Sequence, residues 1–255
     1  MKEIDTKEYK NILLVVLKDI DSFCKANSIA YYLDSGTLLG AIRHDGYIPW
    51  DDDIDLVMPR KDYERFISTF HTELCSVMCF QNNRDYYYQY AKVNYKKSVV
   101  EEVLVPKIAG LGINVDVFPL DGMPNFLLLR RCHQDLLMGL SKLRTMIIVL
   151  RKKLPSVLKP VLRWRWIVKC MDGLAKKYDF GKTQYCGNIV ATSVRHKEIP
   201  ANCFQETKMH VFEGEMYPIP SGYDLYLHLL YGDYMKLPPE EKQIQKHHIK
   251  AYIED

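Results

Sequence analysis

The sequence contains no run of about 18 uncharged apolar residues, so it offers no spanning helix. It has no CxxC pair, and its seven cysteines are odd in number and scattered, with Cys75 and Cys79 the closest two. That usage fits free thiols in a reducing cytoplasm rather than a disulfide framework. A competing reading draws a structural zinc site from Cys75, Cys79, Cys132 and His133. The opening MKEIDTKEYKNILLVVLKDIDSFCK puts acids before its apolar run and no small-residue cleavage site after it, which does not read as a signal peptide. Internal repeats and low-complexity tracts are absent.

What is present is ordinary in bulk. Of 255 residues, 26% are charged and 47% hydrophobic, the balance of a folded chain with a substantial core. The net charge of +3 is unevenly placed. Between Arg130 and Cys170 lie eleven Lys/Arg and one acid, Asp135, so this segment carries +10 and the remainder −7. Tyrosine is abundant, at 18 residues.

Three regions follow from the patterns. Residues 1–123 alternate helical and strand signals and predict an α/β or α+β core. A helix is expected over about 6–27, where Ile12, Val15, Val16, Asp19 and Ile20 recur at helical spacing, mostly apolar. Strands are expected at IAYYLD, DIDLVM, VMCFQN, YYYQYAKVNY, SVVEEV and INVDVFPLD, with helices at GTLLGAIRH and KDYERFISTFHTEL. Residues 124–178 read as basic helices broken at Pro155 and Pro160. Residues 179–255 return to mixed structure and are expected to pack back on the core.

The sharpest local feature is Trp50-Asp51-Asp52-Asp53-Ile54-Asp55-Leu56-Val57. Four acids in five positions repel one another and call for a cation or for solvent. On a strand, Asp53 and Asp55 would share a face with Cα atoms about 6.5–7 Å apart. In INVDVFPL, Asp116 lies opposite the apolar Val115 and Val117. If the two strands are neighbours, Asp53, Asp55 and Asp116 converge as oxygen ligands suited to Mg²⁺, or Mn²⁺. Such a set serves phosphoryl transfer, where catalysis is mostly positioning and charge neutralisation. The competing reading is a solvated acidic turn and a lone strand acid. Gly36-Thr37, between a strand and a helix, offers backbone N–H groups to a phosphate, by itself a weak signal.

Taken together, SGTLLGAIRHDGYIPWDDDIDLVMPRKDYERF (35–66), VDVFPLDG (115–122) and LYGDYMKLPPEEKQIQKHH (230–248) resemble the LicD family. The resemblance spans nearly the whole chain and is thinnest over 124–178. It implies a nucleotidyltransferase-like fold with a mixed sheet. The family's Gly-Ser/Thr turn falls on Gly36-Thr37, its acid–hydrophobic–acid strand on Asp53 and Asp55, and its third acid on Asp116. The RHDGYIPW turn makes the first gap longer than is usual for the superfamily. The implied reaction moves a substituted phosphate from a CDP-activated alcohol donor to a glycan hydroxyl. Phosphocholine from CDP-choline, placed on lipopolysaccharide, teichoic acid or capsule with release of CMP, is the expected case. Glycerol, ribitol or ethanolamine phosphate are the alternatives within the class. The alternative from another class is a non-catalytic nucleic-acid-binding or scaffold protein on this fold.

Further candidates complete this reading. Arg43 could bridge phosphate oxygens or pair with the aspartates. His44 stands beside it, and Lys92 is a candidate phosphate contact. Trp50, with Tyr47, Tyr86, Tyr87, Tyr88 and Tyr90, could face a quaternary ammonium or simply pack. Asp233 and His247 in the tail are secondary substrate-binding candidates. The basic stretch 130–170, interleaved with Ile148, Leu150, Trp164 and Trp166, reads either as helices with a solvated basic face or as a peripheral contact with the inner face of the plasma membrane. That contact would suit a lipid-linked glycan acceptor. Nucleic acid is not expected as a partner.

Overall fold

The computed structural model describes residues 1–102, 108–153, 164–188, 197–244 and 249–254. A short strand β1 (Lys2–Glu3) precedes helix α1 (Thr6–Asn27). The Asp5 carboxylate accepts the Glu8 N–H at 2.8 Å and so caps α1. Ser28 closes the helix in the left-handed region, at φ 51°. The buried stripe is Leu13, Val16, Leu17, Ile20 and Cys24. It is displaced from the predicted face, for Val15 is exposed. Asp19, next to it, accepts the Thr72 hydroxyl at 2.5 Å at the edge of the packing.

The chain continues through β2 (Tyr32–Leu33), α2 (Ser35–His44), β3 (Asp55–Pro59), α3 (Arg60–Thr69), β4 (Cys75–Met78), β5 (Ala91–Tyr95), β6 (Ser98–Glu102) and β7 (Asn114–Met123). Helices α4 (Leu127–Lys153) and α5 (Arg165–Ala175) follow. The last part holds β8 (Tyr185–Gly187), β9 (Ile199–Pro200), the hairpin β10 (Thr207–Phe212) and β11 (Glu215–Pro220), α6 (Tyr223–Tyr231) and β12 (Ile249–Ile253). This is an α+β fold.

The main sheet runs β2-β3-β7-β5-β4, with β8 paired to the far end of β7 and β9 to β8. Only β3 and β7 pair in parallel; the other pairs of this sheet are antiparallel. β7 is its axis and is buried along nearly its whole length, hence its near-continuous apolar sequence. The expected strand, INVDVFPLD closed by Pro119 and Gly122, runs through both to Met123. The reason is directional. The Asp116 N–H donates to the Ile54 carbonyl just before β3, and strand N–H groups alternate sides, so position 119 faces away from β3. On that side β5 has already ended, at Ala91 opposite Val117, so no ladder bond is lost to proline.

Two other predicted strands are shorter. Tyr86 and Tyr87 do not extend β5; they are buried against Trp164 and Val168 in a second apolar cluster beside α4 and α5. Beyond β4 the Asn82 side chain accepts the Cys79 N–H and donates to the Val77 carbonyl, both at 2.9 Å, which turns the chain. At the joint of sheet and helices, Arg60 grips Asp121 bidentately at 2.7 and 2.5 Å and reaches Asp172 on α5 at 3.1 Å. The C-terminal strand β12 pairs with β1 and β6, so both ends of the chain meet in a second small sheet.

All seven cysteines are free thiols. Cys75, Cys79, Cys132 and His133 do not gather within metal-ligand reach, against the zinc reading. Pro155 and Pro160 lie outside the described residues. Among the described residues, no helix is long and apolar enough to cross a membrane.

Candidate active site

Helix α2 and the loop after it shape the site. Asp45 ends α2 in the left-handed region, at φ 53°. The chain then folds back so closely that any side chain at Gly40 would strike the Gly46 carbonyl. The β10–β11 turn holds this loop from outside: Glu213 accepts the Tyr47 N–H, and its own N–H donates to the Asp45 carbonyl, both at 2.9 Å. The returning loop brings Trp50 and the aspartate run to the N-terminal turn of α2. A Cβ on Gly36 would lie 2.5 Å from an Asp51 carboxylate oxygen, so glycine is what lets Asp51 sit there. The Thr37 hydroxyl accepts the Asp55 N–H at 2.9 Å and fixes the start of β3 to α2.

Register supplies the next layer. Asp55 on β3 is opposite Asp116 on β7, and Asp116 is opposite Lys92 on β5. Neighbouring strands are about 4.8 Å apart, so two carboxylates and an ammonium stand in one row on one face. The Lys92 ammonium donates to Asp116 at 2.6 Å and to Asn114 at 2.9 Å. It also lies 5.5 and 5.7 Å from the ring centres of Tyr88 and Tyr90. Tyr90 in turn packs on Phe118 with ring centres 4.3 Å apart. Lys92 is thus buried and holds Asp116 in place.

The expectation for Asp53 differs in detail. β3 begins at Asp55, so Asp53 lies in the turn before it and strand alternation does not set its direction. Asp51, Asp52 and Asp53 instead form a compact group, each offering a carboxylate oxygen within 4.8 Å of the others. Burial, and then the charges of Asp53, Asp116, Asp34 and Asp51, push the Asp55 carboxyl well above the usual carboxylate range. Asp34, at the head of α2, is also raised by burial, although Tyr226 donates to it at 2.5 Å. Several carboxylates thus crowd one corner of the sheet. An all-oxygen donor set under such mutual repulsion suits a hard divalent cation.

Beside this corner opens a pocket of about 810 Å³ between α2 and the segment after α6. Gly36, Arg43, Trp50, Asp51, Tyr231 and Tyr234 line it, with Asp233, Lys236 and Lys242 from the tail. Arg43 joins the two walls by donating to the Tyr234 carbonyl at 2.8 Å. Its Nε donates to His44 Nε2 at 2.9 Å, so His44 serves as an acceptor there. Burial first, then the Arg43 charge, lower the pKa of His44.

Of the residues selected from sequence, Gly36, Thr37, Asp53, Asp55, Asp116 and Lys92 meet at the carboxylate corner, and Arg43, Trp50 and Asp233 at the pocket. His44 backs Arg43, and His247 lies outside the described residues. Of the aromatic group, Trp50 alone lines the pocket. Tyr47 packs on Phe212, and Tyr86 and Tyr87 are core residues. Sequence reasoning passed over Asp34, Asp51, Asp52, Tyr231, Tyr234 and Lys236. Asp51 and Asp52 were visible in the acidic run, but strand alternation selected only its second half.

Comparison with known proteins points the same way. A family model described as the LicD/FKTN/FKRP nucleotidyltransferase domain matches residues 28–123, the part that carries the carboxylates. The chain is 31% identical over 269 residues to the lipopolysaccharide cholinephosphotransferase LicD of Haemophilus influenzae, covering 99% of this chain and all of that protein. An uncharacterized protein of Rickettsia typhi is 44% identical over 54 residues, 21% of this chain and 18% of its own length. Mannosyltransferase regulator 4 of Saccharomyces cerevisiae is 34% identical over 83 residues, 32% of this chain and 7% of its own. With its carboxylate corner inside the matched domain and its full length aligned to one member, the chain belongs to the LicD family.

Proposed function

We propose that the protein is a phosphotransferase acting on a cell-surface glycan of the lipopolysaccharide type, with CDP-choline as donor. The full-length likeness to a lipopolysaccharide cholinephosphotransferase supports the reaction class. The observation that carries the chemistry is the Asp55–Asp116 pair in register, with Asp51, Asp52 and Asp53 crowded beside it. Asp53, Asp55 and Asp116 would hold Mg²⁺, or Mn²⁺, with Asp51 at hand. That ion, when bound, supplies charge neutralisation at the donor diphosphate.

The remaining work falls to the chain. Lys92 keeps Asp116 oriented beside Asp55 and offsets part of the local negative charge. The Gly36-Thr37 turn and Arg43 face the phosphate oxygens. Trp50, Tyr231 and Tyr234 offer aromatic faces in the pocket, the kind of surface that receives a trimethylammonium group without hydrogen bonds. The acceptor hydroxyl oxygen attacks the phosphorus that bears choline and gives its proton to a carboxylate; Asp116 serves as that base or as the third ligand. The bond from that phosphorus to the bridging oxygen breaks, and CMP leaves with that oxygen.

The test is transfer from a series of CDP-alcohols to a lipopolysaccharide acceptor, with and without Mg²⁺ or Mn²⁺. CMP release and labelled glycan are expected with CDP-choline and a divalent ion. Preference for the glycerol, ribitol or ethanolamine derivative would replace choline as the donor alcohol. Absence of transfer from every donor would reject the reaction.

A further inference from the structure

We propose that the outward face of α4 docks on an anionic lipid bilayer. The inner side of this helix is fixed by packing: Leu137 and Ile148 are buried, and Arg144 donates to the Tyr87 carbonyl at 3.0 Å. That packing turns Leu128, Leu136, Met146 and Leu150 outward, with exposures of 64, 51, 53 and 45%. At 3.6 residues per turn the four fall within about 80° of one another, on one side of the helix. Exposed Gly139 lies on the same side, and exposed Asp135 is its one acid. An apolar line of this length turned to water is the informative exception on a protein surface. The helix has 27 residues, about 40 Å at 1.5 Å each, yet it is not apolar enough to cross a membrane. It has the build of a helix that lies along an interface.

Charge selects the occupant. Lys142 is exposed near the apolar line, and Arg131 is half exposed, 3.9 Å from Glu198. Asp135 is the lone acid among the eleven cations of residues 130–170. A second copy of this chain would bring another +10 segment against the first. A nucleic acid would leave the apolar line in water. An anionic bilayer satisfies both the cations and the apolar side chains. Its use to the reaction, which is to bring the site to an acceptor carried on a lipid, rests on the function proposed above; docking itself does not.

The experiment is sedimentation of the full chain with vesicles of phosphatidylglycerol and phosphatidylcholine, or of phosphatidylcholine alone, with no donor or acceptor present. Binding to the anionic vesicles is expected, at least tenfold tighter than to the neutral ones. Leu136→Glu with Met146→Glu should weaken it at least tenfold while the circular dichroism melt stays unchanged. Lys142→Gln should weaken it about fivefold, the factor for one cation near an anionic surface. Should the double glutamate variant fail to fold, Leu128→Ser with Leu150→Ser must show the loss instead. The proposal is overturned if the wild type stays in the supernatant, or if the folded variants bind as well as the wild type. It is equally overturned if the substitutions only convert a dimer to a monomer. Because vesicle binding is read without chemistry, a failed transfer assay leaves this result standing.

Discussion

The corner where β3 meets β7 and the face of α4 handle charge in opposite ways. At the corner, like charges are packed together and partly buried: Asp55 against Asp116, with Asp51, Asp52 and Asp53 alongside and one lysine set among them. On α4, Lys142 and Arg131 are exposed, Arg130 is buried, and Leu128, Leu136, Met146 and Leu150 face outward. Folding alone favours neither arrangement. Crowded carboxylates raise one another's proton affinity, and exposed leucines forgo burial. Each region departs from the rule that makes a stable fold, and each departure is the ground for the ligand proposed there. Arg60 ties the far end of β7 to α5, the helix packed beside α4, through Asp121 and Asp172.

The contrast can be broken first at the corner. Asp55→Asn or Asp116→Asn should lower phosphotransfer by more than about a thousandfold, since positioned charge is the main catalytic resource in this chemistry. The melting temperature of Asp55→Asn without divalent ions should stay level or rise, because the repulsion falls. Activity within tenfold of wild type would remove these residues from the chemistry.

The joint comes next. Arg60→Met leaves Asp121, whose side chain has 0% exposure, as a buried charge without its bidentate partner. Breaking such a pair costs about 3–5 kcal/mol, or about 10 °C in melting temperature for a chain of this size. Adding Asp121→Leu should recover much of the loss. A variant that melts with the wild type would show that α5 needs no ionic anchor.

The smallest effect lies inside α4. His133 is buried against Tyr178 with ring centres 5.3 Å apart, and its Nε2 has no hydrogen-bond partner among the described residues. Burial first, then the Lys177 charge, hold its pKa below the ordinary value. The unfolded chain therefore binds this proton near pH 6.5 while the folded one does not, and stability falls as pH drops through that value. His133→Asn should flatten the fall in melting temperature between about pH 7 and 5.5. An unchanged slope would place the titrating group elsewhere.

How far the sequence reaches can be judged residue by residue. The parallel neighbours Asp55 and Asp116 were legible because each interrupts an apolar alternation that a strand imposes. The Gly36-Thr37 turn was legible from its place between a strand and a helix. Asp53 was misplaced because alternation holds only inside a strand, and β3 starts two residues later. The tyrosines at 86 and 87 were read as strand because tyrosine favours strands, but α4 and α5 supplied a better burial.

By itself, the sequence determined the elements and their chemistry: the order of helices and strands, the acidic run, the basic stretch and the family. Those depend on local pattern and residue type, which act over a few neighbours. Tertiary structure alone decided that Lys92 holds Asp116, that Glu213 clamps the loop carrying the aspartates, and that Tyr231 and Tyr234 wall the pocket with Trp50. It also decided which side of α4 faces out. Glu213 lies 166 residues from the Tyr47 amide it accepts, and strand register is set by the packing of the whole sheet. No periodicity within one segment encodes a partner so distant, so those contacts exist only once the chain has closed on itself.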